Sequence, residues 1–385
     1  MRLKVLIAGG GTGGHVFPAL NLARAIEKRW PSELLFVGAR RGIESEKIPK
    51  AGYAIRLIPV TGLHRRLTLK NIMFPINVMR SQWMCHKIIK SFAPHVAIGT
   101  GGYVMGPALR SALAKNVPVV IQEQNSFPGI TTRLLAKKAA AVFLAYERAA
   151  NHLHPLTKAV LTGNPVNLEP VTETTQQIRN QFHISSQKKI ILVFGGSQGA
   201  ASINRGIWSM LEHKQWPDQF HLLWQTGKRQ WADYRDRVKS LNIDATVLPF
   251  IEHMNKAYTI SEFAVCRAGA MTISELAAAG LPAIFVPLAH AAANHQYKNA
   301  RAITEKGGGL IADDDVNLNE NLQTCVHNLA YNEHLVQRMR ESMGKLHHGD
   351  SANRIIDYIA ELDGIKDIIE QIEHKSPEND EKTNQ

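Results

Sequence analysis

Residues 5–14 read Val5-Leu6-Ile7-Ala8-Gly9-Gly10-Gly11-Thr12-Gly13-Gly14. A short unbroken apolar run that ends in a glycine cluster predicts a strand buried on both faces. The glycines at 9, 11 and 14 satisfy G-x-G-x-x-G, and the backbone N–H groups of such a turn, opening a helix, can cradle phosphate oxygens. Residues 191–200 repeat the plan: Ile191-Leu192-Val193-Phe194-Gly195-Gly196-Ser197-Gln198-Gly199-Ala200. Each segment is a strand, a glycine-rich turn with a hydroxyl residue, then a helical pattern.

Outward from these two segments, short apolar or β-branched runs alternate with helical patterns. Strands are expected at 4–8, 34–38, 96–100, 117–122, 141–145 and 159–162, and again at 190–194, 221–225, 246–250, 263–266 and 282–286. Strands alternating with helices imply parallel sheets covered on both faces, an α/β fold of two Rossmann-like domains. Gly163-Asn164-Pro165 breaks the pattern, and the stretch that follows to Lys189 is polar. The expected division is residues 1–163, residues 164–342, a helix at 343–365 crossing back to the first domain, and an acidic, disordered tail at 366–385. Two nucleotide-type domains in tandem place a cleft between them, the usual ligand site on such sheets.

The 385 residues suit two cores rather than one. Cys85, Cys266 and Cys325 are an odd number at no metal-ligand spacing, which favours reduced, buried thiols. The apolar run at 5–8 is too short for a signal peptide, and no window supplies the ~18 apolar residues of a membrane span. Charge is uneven: residues 1–165 hold 23 Lys+Arg against 6 Asp+Glu, the remainder 22 against 27. No acid falls between Glu46 and Glu123, whereas eleven Lys/Arg do. Such asymmetry predicts a polyanionic partner for the first half: nucleic acid, an anionic membrane or a phosphorylated substrate.

Several positions carry candidate chemistry, each with a plainer alternative. A NAD site requires an acid near the end of the second strand, but the chain there reads Gly38-Ala39-Arg40-Arg41. An NADP site with these arginines keeps an oxidoreductase reading open. His15 follows the first glycine loop, at a helix start that disfavours added positive charge and so suits a neutral base; a helix-start polar group is the alternative. Gly99-Thr100-Gly101-Gly102-Tyr103 reads as a second phosphate-sized loop or as a plain turn. Ser197 can donate to a phosphate oxygen or cap its own helix. Thr272 and Glu275 have the spacing of a capping box; alternatively, Glu275 accepts both ribose hydroxyls of a nucleotide whose phosphates face the helix start. Asn294-His295-Gln296 offers amides suited to sugar hydroxyls, with a surface helix start as the alternative. Asp313-Asp314-Asp315 contains a D-x-D triplet, which a solvated turn explains better than a metal site. No metal and no cofactor is expected.

Residues 63–83 interleave Leu67, Leu69, Ile72, Met73, Phe74, Ile76, Met79 and Trp83 with Arg65, Arg66, Lys70 and Arg80. Mixed apolar and basic residues suit docking on an anionic bilayer. RNA fits the charge but not the composition, because aromatic stacking platforms are scarce; no nucleic-acid partner is expected. Met84, Ile88 and Phe92 fall at helical spacing and read as core.

Taken together, the motifs resemble the bacterial N-acetylglucosaminyltransferases of peptidoglycan synthesis that convert lipid I to lipid II. The resemblance runs from Met1 to about residue 360. It rests on an ordered set: GGGTGGHVFPAL, GTGGYV, EQN at 123–125, GNPV at 163–166, GGSQGA, CRAGAMTISE, AAGLPAIFVP and NHQYKNA. It implies a GT-B fold, two Rossmann-like domains facing across a deep cleft, and a peripheral enzyme on the cytoplasmic face of the bacterial membrane. It implies UDP-N-acetylglucosamine as donor and an undecaprenyl-pyrophosphoryl-linked sugar as acceptor. By motif match, Glu275 binds the ribose, Ile251 the uracil and Ser197 a phosphate. The turn of Ala270, Met271, Thr272, Ile273, Ser274 and Glu275 faces the diphosphate, and Gln296 the sugar. Thr12, Gly13, Gly14 and Asn125 line the sugar and acceptor side, with Gly11, Gly101, Gly102 and Tyr103 as acceptor-diphosphate loops and His15 as the base. Two positions depart from the pattern: Asn167 stands where an arginine is usual after GNPV, and Gln122 where histidine is common before EQN.

Overall fold

The computed structural model describes residues 1–60, 74–185, 187–241, 243–289 and 294–374. The chain forms two compact units: Met1–Val166 together with the segment from Asp350 onward, and Asn167–Gly349.

The first unit is built on a seven-stranded parallel sheet. Its strands are β1 (Leu3–Gly9), β2 (Ser32–Ala39), β3 (Ala54–Ile58), β4 (Val96–Gly101), β5 (Val119–Glu123), β6 (Ala141–Leu144) and β7 (Ala159–Leu161), in the order β3-β2-β1-β4-β5-β6-β7. Strands β4, β5 and β6 are buried along their whole length, as expected of a sheet with helices on both faces. Leu3, Val5 and Ile7 point into one core layer, and Leu6 and Ala8 into the opposite one. Full burial of each such large aliphatic side chain stabilises the unit by ~1.5–3 kcal/mol.

The second unit holds β8 (Lys189–Phe194), β9 (Phe220–Gln225), β10 (Ala245–Leu248), β11 (Phe263–Cys266), β12 (Ala283–Phe285) and β13 (Gly309–Ile311), all parallel, in the order β10-β9-β8-β11-β12-β13. In each sheet the order reverses beside the first strand, at β1/β4 and at β8/β11. Ligands bind open α/β sheets at such switch points, outside the carboxyl ends of the strands.

Two strands were not expected. β3 is an edge strand whose apolar residues alternate with the outward-facing Arg56. β13 starts at Gly309, the last of three glycines in a stretch where the sequence pattern placed no strand. A Cβ on Gly309 would lie 2.6 Å from the Ala283 carbonyl oxygen, so the glycine is there to let β13 approach β12.

The C-terminal segment differs from expectation. The helix Glu333–Lys345 belongs to the second unit, and the chain rejoins the first unit at Asp350 rather than at 343. Two helices follow, Ser351–Ala360 and Lys366–His374. Residues 366–374 are therefore not a disordered tail. Ile355, Ile356, Ile359, Ile365, Ile369 and Ile372 enter the same core as Leu3, Val5 and Val16, an apolar stripe that outweighs the acidic composition. Arg29 pairs with Asp357, and the Trp30 indole N–H donates to Glu373 at 3.2 Å. Residues 375–385 lie outside the described residues. Cys85 and Cys266 are buried free thiols, and burial pushes Cys85 up to about 12.

Candidate active site

In the first unit the loops after β1 and β4 leave the sheet side by side, because Ala8 pairs with Gly99 and Gly9 with Gly101. Gly10 N–H donates to the Gly101 carbonyl at 3.4 Å. Gly102 has φ +81°, and a Cβ there would lie 2.4 Å from the Gly10 oxygen. Only glycine permits that approach. The helix Gly13–Arg29 starts at Thr12, whose side chain does not cap it, and its first turn carries no acid. His15 thus sits in the first turn, beside N–H groups that the helix itself leaves unpaired.

The imidazole is held from one side. Nδ1 lies 2.9 Å from Gln124 Oε1 and 3.1 Å from the Thr100 carbonyl oxygen. Both are acceptors, so Nδ1 carries the proton and a neutral ring keeps its lone pair on Nε2. The Thr100 hydroxyl donates to the His15 carbonyl at 2.8 Å and fixes the backbone as well.

Two buried carboxylates build these loops: Glu44, which no motif named, and Glu123, which the EQN motif contains but to which the sequence assigned no role. Glu44 accepts the Gly11 N–H at 2.8 Å and the Ala39 N–H at 2.9 Å. The Gly11 amide is therefore engaged by Glu44, while Gly11 and Thr12 themselves are exposed ahead of the helix start. Glu44 could have been suspected from sequence as an acid soon after β2, at the place where a ribose-binding acid was sought and not found. Glu123 accepts from Asn125 N–H and Nδ2 (3.1 Å each), Gly129 N–H (3.1 Å) and Thr132 Oγ1 (2.7 Å). Asn125 is thereby oriented by the residue two before it. Tyr103 is exposed on the loop after β4.

In the second unit Phe194 pairs with Cys266, so the Gly195–Ala200 turn and the Arg267–Ala270 turn emerge together at the switch point. Gly199 has φ +75°, and a Cβ there would lie 2.1 Å from the Thr226 oxygen. Ser197 is exposed, and the helix Ala201–Glu212 is capped at Ala200; Ser197 is not its N-cap. The capping box at Thr272 and Glu275 is likewise absent: the helix Ala270–Ala278 starts at Gly269 without a side-chain cap. Ala270, Met271 and Ile273 are buried, so this turn offers its backbone N–H groups rather than their side chains.

Glu275 instead accepts the Tyr258 hydroxyl at 2.9 Å. Burial pushes the Glu275 carboxyl above its ordinary value, and the Tyr258 hydrogen bond pulls it partly back. The Ile251 side chain is buried and its N–H donates to Gln225 Oε1 at 2.7 Å, while Gln225 Nε2 donates to the Gly196 carbonyl at 3.0 Å. Gln225 thus ties the 195–200 turn to Ile251, a bridge no motif announced. Gln296 Oε1 accepts the Leu288 N–H at 2.9 Å at the start of the helix His295–Thr304.

Asp314 does not stand as a free metal ligand. It takes the Arg267 guanidinium at 2.7 Å and the Ser202 hydroxyl at 3.1 Å, and Asp315 accepts the Asn317 N–H at 2.8 Å. Among the membrane-surface candidates, Arg65, Arg66, Lys70 and Ile72 lie outside the described residues. Met79 and Trp83 lie on the helix Phe74–Phe92 and are 73% and 61% exposed. Among the described residues, no helix is long and apolar enough to cross a membrane.

Residues 5–144 match the glycosyltransferase family 28 N-terminal domain, and residues 190–355 its C-terminal domain. A Christiangramia forsetii protein is 40% identical over 364 residues, covering 94% of this chain and 98% of the relative. A Parabacteroides distasonis protein is 37% identical over 366 residues, with 94% and 98% coverage. Both bear the name UDP-N-acetylglucosamine–N-acetylmuramyl-(pentapeptide) pyrophosphoryl-undecaprenol N-acetylglucosamine transferase. The crystal structure of Acinetobacter baumannii MurG superposes with a TM-score of 0.74 at 27% identity, over 94% of this chain and 100% of that one. A UDP-GlcNAc 2-epimerase from Neisseria meningitidis, at 14% identity and TM-score 0.64, shares the fold alone. This likeness, and the two parallel α/β units, are those of GT-B glycosyltransferases, and the oxidoreductase reading of Arg40 and Arg41 falls away. The chain is an enzyme of glycosyltransferase family 28, and it belongs to the family of UDP-N-acetylglucosamine–N-acetylmuramyl-(pentapeptide) pyrophosphoryl-undecaprenol N-acetylglucosamine transferases.

Proposed function

We propose that this chain transfers N-acetylglucosamine from UDP-N-acetylglucosamine to the C4 hydroxyl of undecaprenyl-pyrophosphoryl-N-acetylmuramyl-pentapeptide, with inversion, giving a β-1,4 link. End-to-end similarity to relatives named for this reaction supports the substrate pair. The observation that carries the mechanism is the His15 ring, with Nδ1 engaged by two acceptors and Nε2 left as the basic nitrogen.

In this reading Nε2 of His15 takes the proton of the acceptor C4 hydroxyl. The oxygen attacks the anomeric carbon, the bond from that carbon to the diphosphate oxygen breaks, and UDP leaves with the electron pair. The uncapped N–H groups at Ala270–Thr272 and the Ser197 hydroxyl stabilise the growing charge on the diphosphate; they are in place before reaction, so little reorganisation opposes them. Glu275 accepts the ribose hydroxyls, the Ile251 segment borders the uracil, and Gln296 meets the sugar. Thr12, Gly13, Gly14 and Asn125 line the acceptor side. Charge stabilisation is assigned in this reading to those backbone dipoles and to Ser197.

The membrane partner is part of the same proposal. Ile76, Met79 and Trp83 share one stripe of the helix Phe74–Phe92, and all three are exposed. Lys87 Nζ lies 3.6 Å from the centre of the Trp83 ring. An apolar stripe beside cations suits the anionic cytoplasmic leaflet, where a lipid-linked acceptor resides.

The test is transfer of labelled N-acetylglucosamine to a lipid I analogue, with the product linkage read by NMR. A β-linked disaccharide, and a kcat lowered about 10²–10⁴-fold in His15→Ala, are expected. No transfer by the wild type overturns the activity, and wild-type turnover in the variant overturns the base.

A further inference from the structure

We propose that Gln124, with Gln122 and Asn164 behind it, sets the tautomer of His15 and so makes Nε2 the proton acceptor; this rests on the reading of His15 as the base. Three amides and the imidazole form a directed network. Gln124 Nε2 lies 2.7 Å from the Thr100 carbonyl and 3.0 Å from the Gln122 carbonyl. Backbone carbonyls only accept, so this end of the amide is the NH2. Its Oε1 must then be the atom that faces His15 Nδ1 at 2.9 Å. An oxygen at that place demands a proton on Nδ1 and leaves Nε2 bare in the neutral ring.

The next shell fixes Gln124 in turn. Gln122 Oε1 also faces Gln124 Nε2, whose two hydrogens are shared among these three acceptors. Gln122 Nε2 donates to Asn164 Oδ1 at 2.8 Å, and Asn164 Nδ2 donates to the Gln124 carbonyl at 3.2 Å. That final carbonyl is again acceptor-only, so every amide in the network has one orientation. All three side chains are buried, where an amide turned the wrong way would face donor with donor or acceptor with acceptor.

The network joins the carboxyl ends of β4 and β5 to the domain-end turn at 163–166, three places the sequence does not bring together. It also accounts for Gln122, which replaces the histidine common at that position with another group that accepts at one end and donates at the other. The groups placed against the imidazole are uncharged: Gln124, the Thr100 carbonyl and Gly101. Glu44 is turned to Gly11 and Ala39, and Glu123 to Asn125, Gly129 and Thr132. The preference between the ring nitrogens is therefore made by hydrogen-bond polarity rather than by a neighbouring charge. Gln124, Gln122 and Asn164 are positioning residues.

The experiment compares the full chain with Gln124→Met and Gln124→Glu. Two-bond 1H–15N spectra of the histidines, with His15→Ala as the assignment control, read the tautomer above the ring's titration. The wild type is expected to show His15 as the Nδ1–H form, and Gln124→Met a mixture. In turnover, Gln124→Met is expected to lower kcat by about tenfold or more with little change in KM for UDP-N-acetylglucosamine. Gln124→Glu keeps an acceptor against Nδ1 and adds charge that favours the imidazolium. It should recover part of kcat and move the acid limb of the kcat–pH profile to higher pH. A wild-type Nε2–H form, an unaltered tautomer in Gln124→Met, or equal losses in both variants with an unmoved acid limb would overturn the proposal. Should Gln124→Met fail to fold, the wild-type spectrum and the Gln124→Glu profile decide. If His15→Ala keeps wild-type turnover, the base reading fails, while the tautomer spectra still judge the network on its own.

Discussion

The Glu44 carboxylate accepts the Gly11 N–H at 2.8 Å through Oε2, from a fully buried position beneath the first glycine loop. Its other oxygen takes the Ala39 N–H at the end of β2. One side chain thus clamps the glycine loop to the neighbouring strand. A Cβ on Gly10 or Gly42 would lie about 2 Å from it, which leaves no room for the loop to pack otherwise. Glu44→Ala removes both hydrogen bonds made by a fully buried side chain and is expected to destabilise the protein by about 1–3 kcal/mol. Urea unfolding checks this: the midpoint should fall with the slope unchanged. A midpoint equal to the wild type's would mean that water replaces the carboxylate without loss.

Gly101 is where the fold and the base meet. It has φ +108°, and a Cβ there would stand 2.3 Å from His15 Nδ1. Gly101→Ala should push the imidazole off Gln124 and the Thr100 carbonyl. The expected outcome is a kcat lowered by about 100-fold, as a displacement of ~1 Å can do, with UDP binding in the other unit preserved. Calorimetry with UDP beside a turnover assay separates the two. Weakened UDP binding would point to a wider disturbance.

Glu275 connects stability to function with opposite signs. Its carboxyl lies above the ordinary 4.5 because burial disfavours the charge. In the window between 4.5 and that raised value, the folded state binds more protons than the unfolded one, so this group makes stability fall as pH rises. Glu275→Gln removes the buried charge. It is expected to be at least as stable as wild type above that window, with a flatter stability–pH curve within it, while UDP affinity drops about tenfold or more. Tyr258→Phe removes the hydrogen bond that favours the carboxylate. Donor affinity in that variant should decline at a higher pH on acidification than in wild type. Thermal melts across pH and UDP titrations read both, and loss of stability in Glu275→Gln would show that the carboxylate is better solvated than its burial implies.

The stripe of Ile76, Met79 and Trp83 should govern membrane partition. Met79→Ser with Trp83→Ser is expected to lower binding to anionic vesicles severalfold at any salt, since it removes apolar contact. Charge reversal at Arg65, Arg66 and Lys70 should lower it mainly at low salt, where screening is weak. Vesicle sedimentation at two ionic strengths distinguishes the two contributions. Binding unchanged in both variants would move the docking surface elsewhere.

Much of the fold was legible because parallel strands buried on both faces leave long apolar runs. Residues 4–8 and 190–194 announce β1 and β8 directly. β13 was hidden because it is three residues long and opens on a glycine, Gly309, which serves the close approach of the strand to the Ala283 carbonyl. The helix Lys366–His374 was hidden because its acids dominate the composition, while only the spacing of Ile365, Ile369 and Ile372 shows the buried face. The motif residues of the site could be named from sequence. Their partners could not: Glu44 for Gly11, Tyr258 for Glu275, Gln225 for Ile251.

By itself the sequence determined two α/β units, the glycine turns after their first strands, the basic first half, and the family. These follow from periodicity, from glycine's freedom at positive φ, and from motif order, all of them local along the chain. Only the tertiary structure decided which nitrogen of His15 is free, which amide of the first loop is already engaged, and that Thr272 and Ser197 cap no helix. The first two outcomes depend on hydrogen bonds between groups 33 and 109 residues apart in sequence, Gly11 with Glu44 and His15 with Gln124, and no local pattern records that.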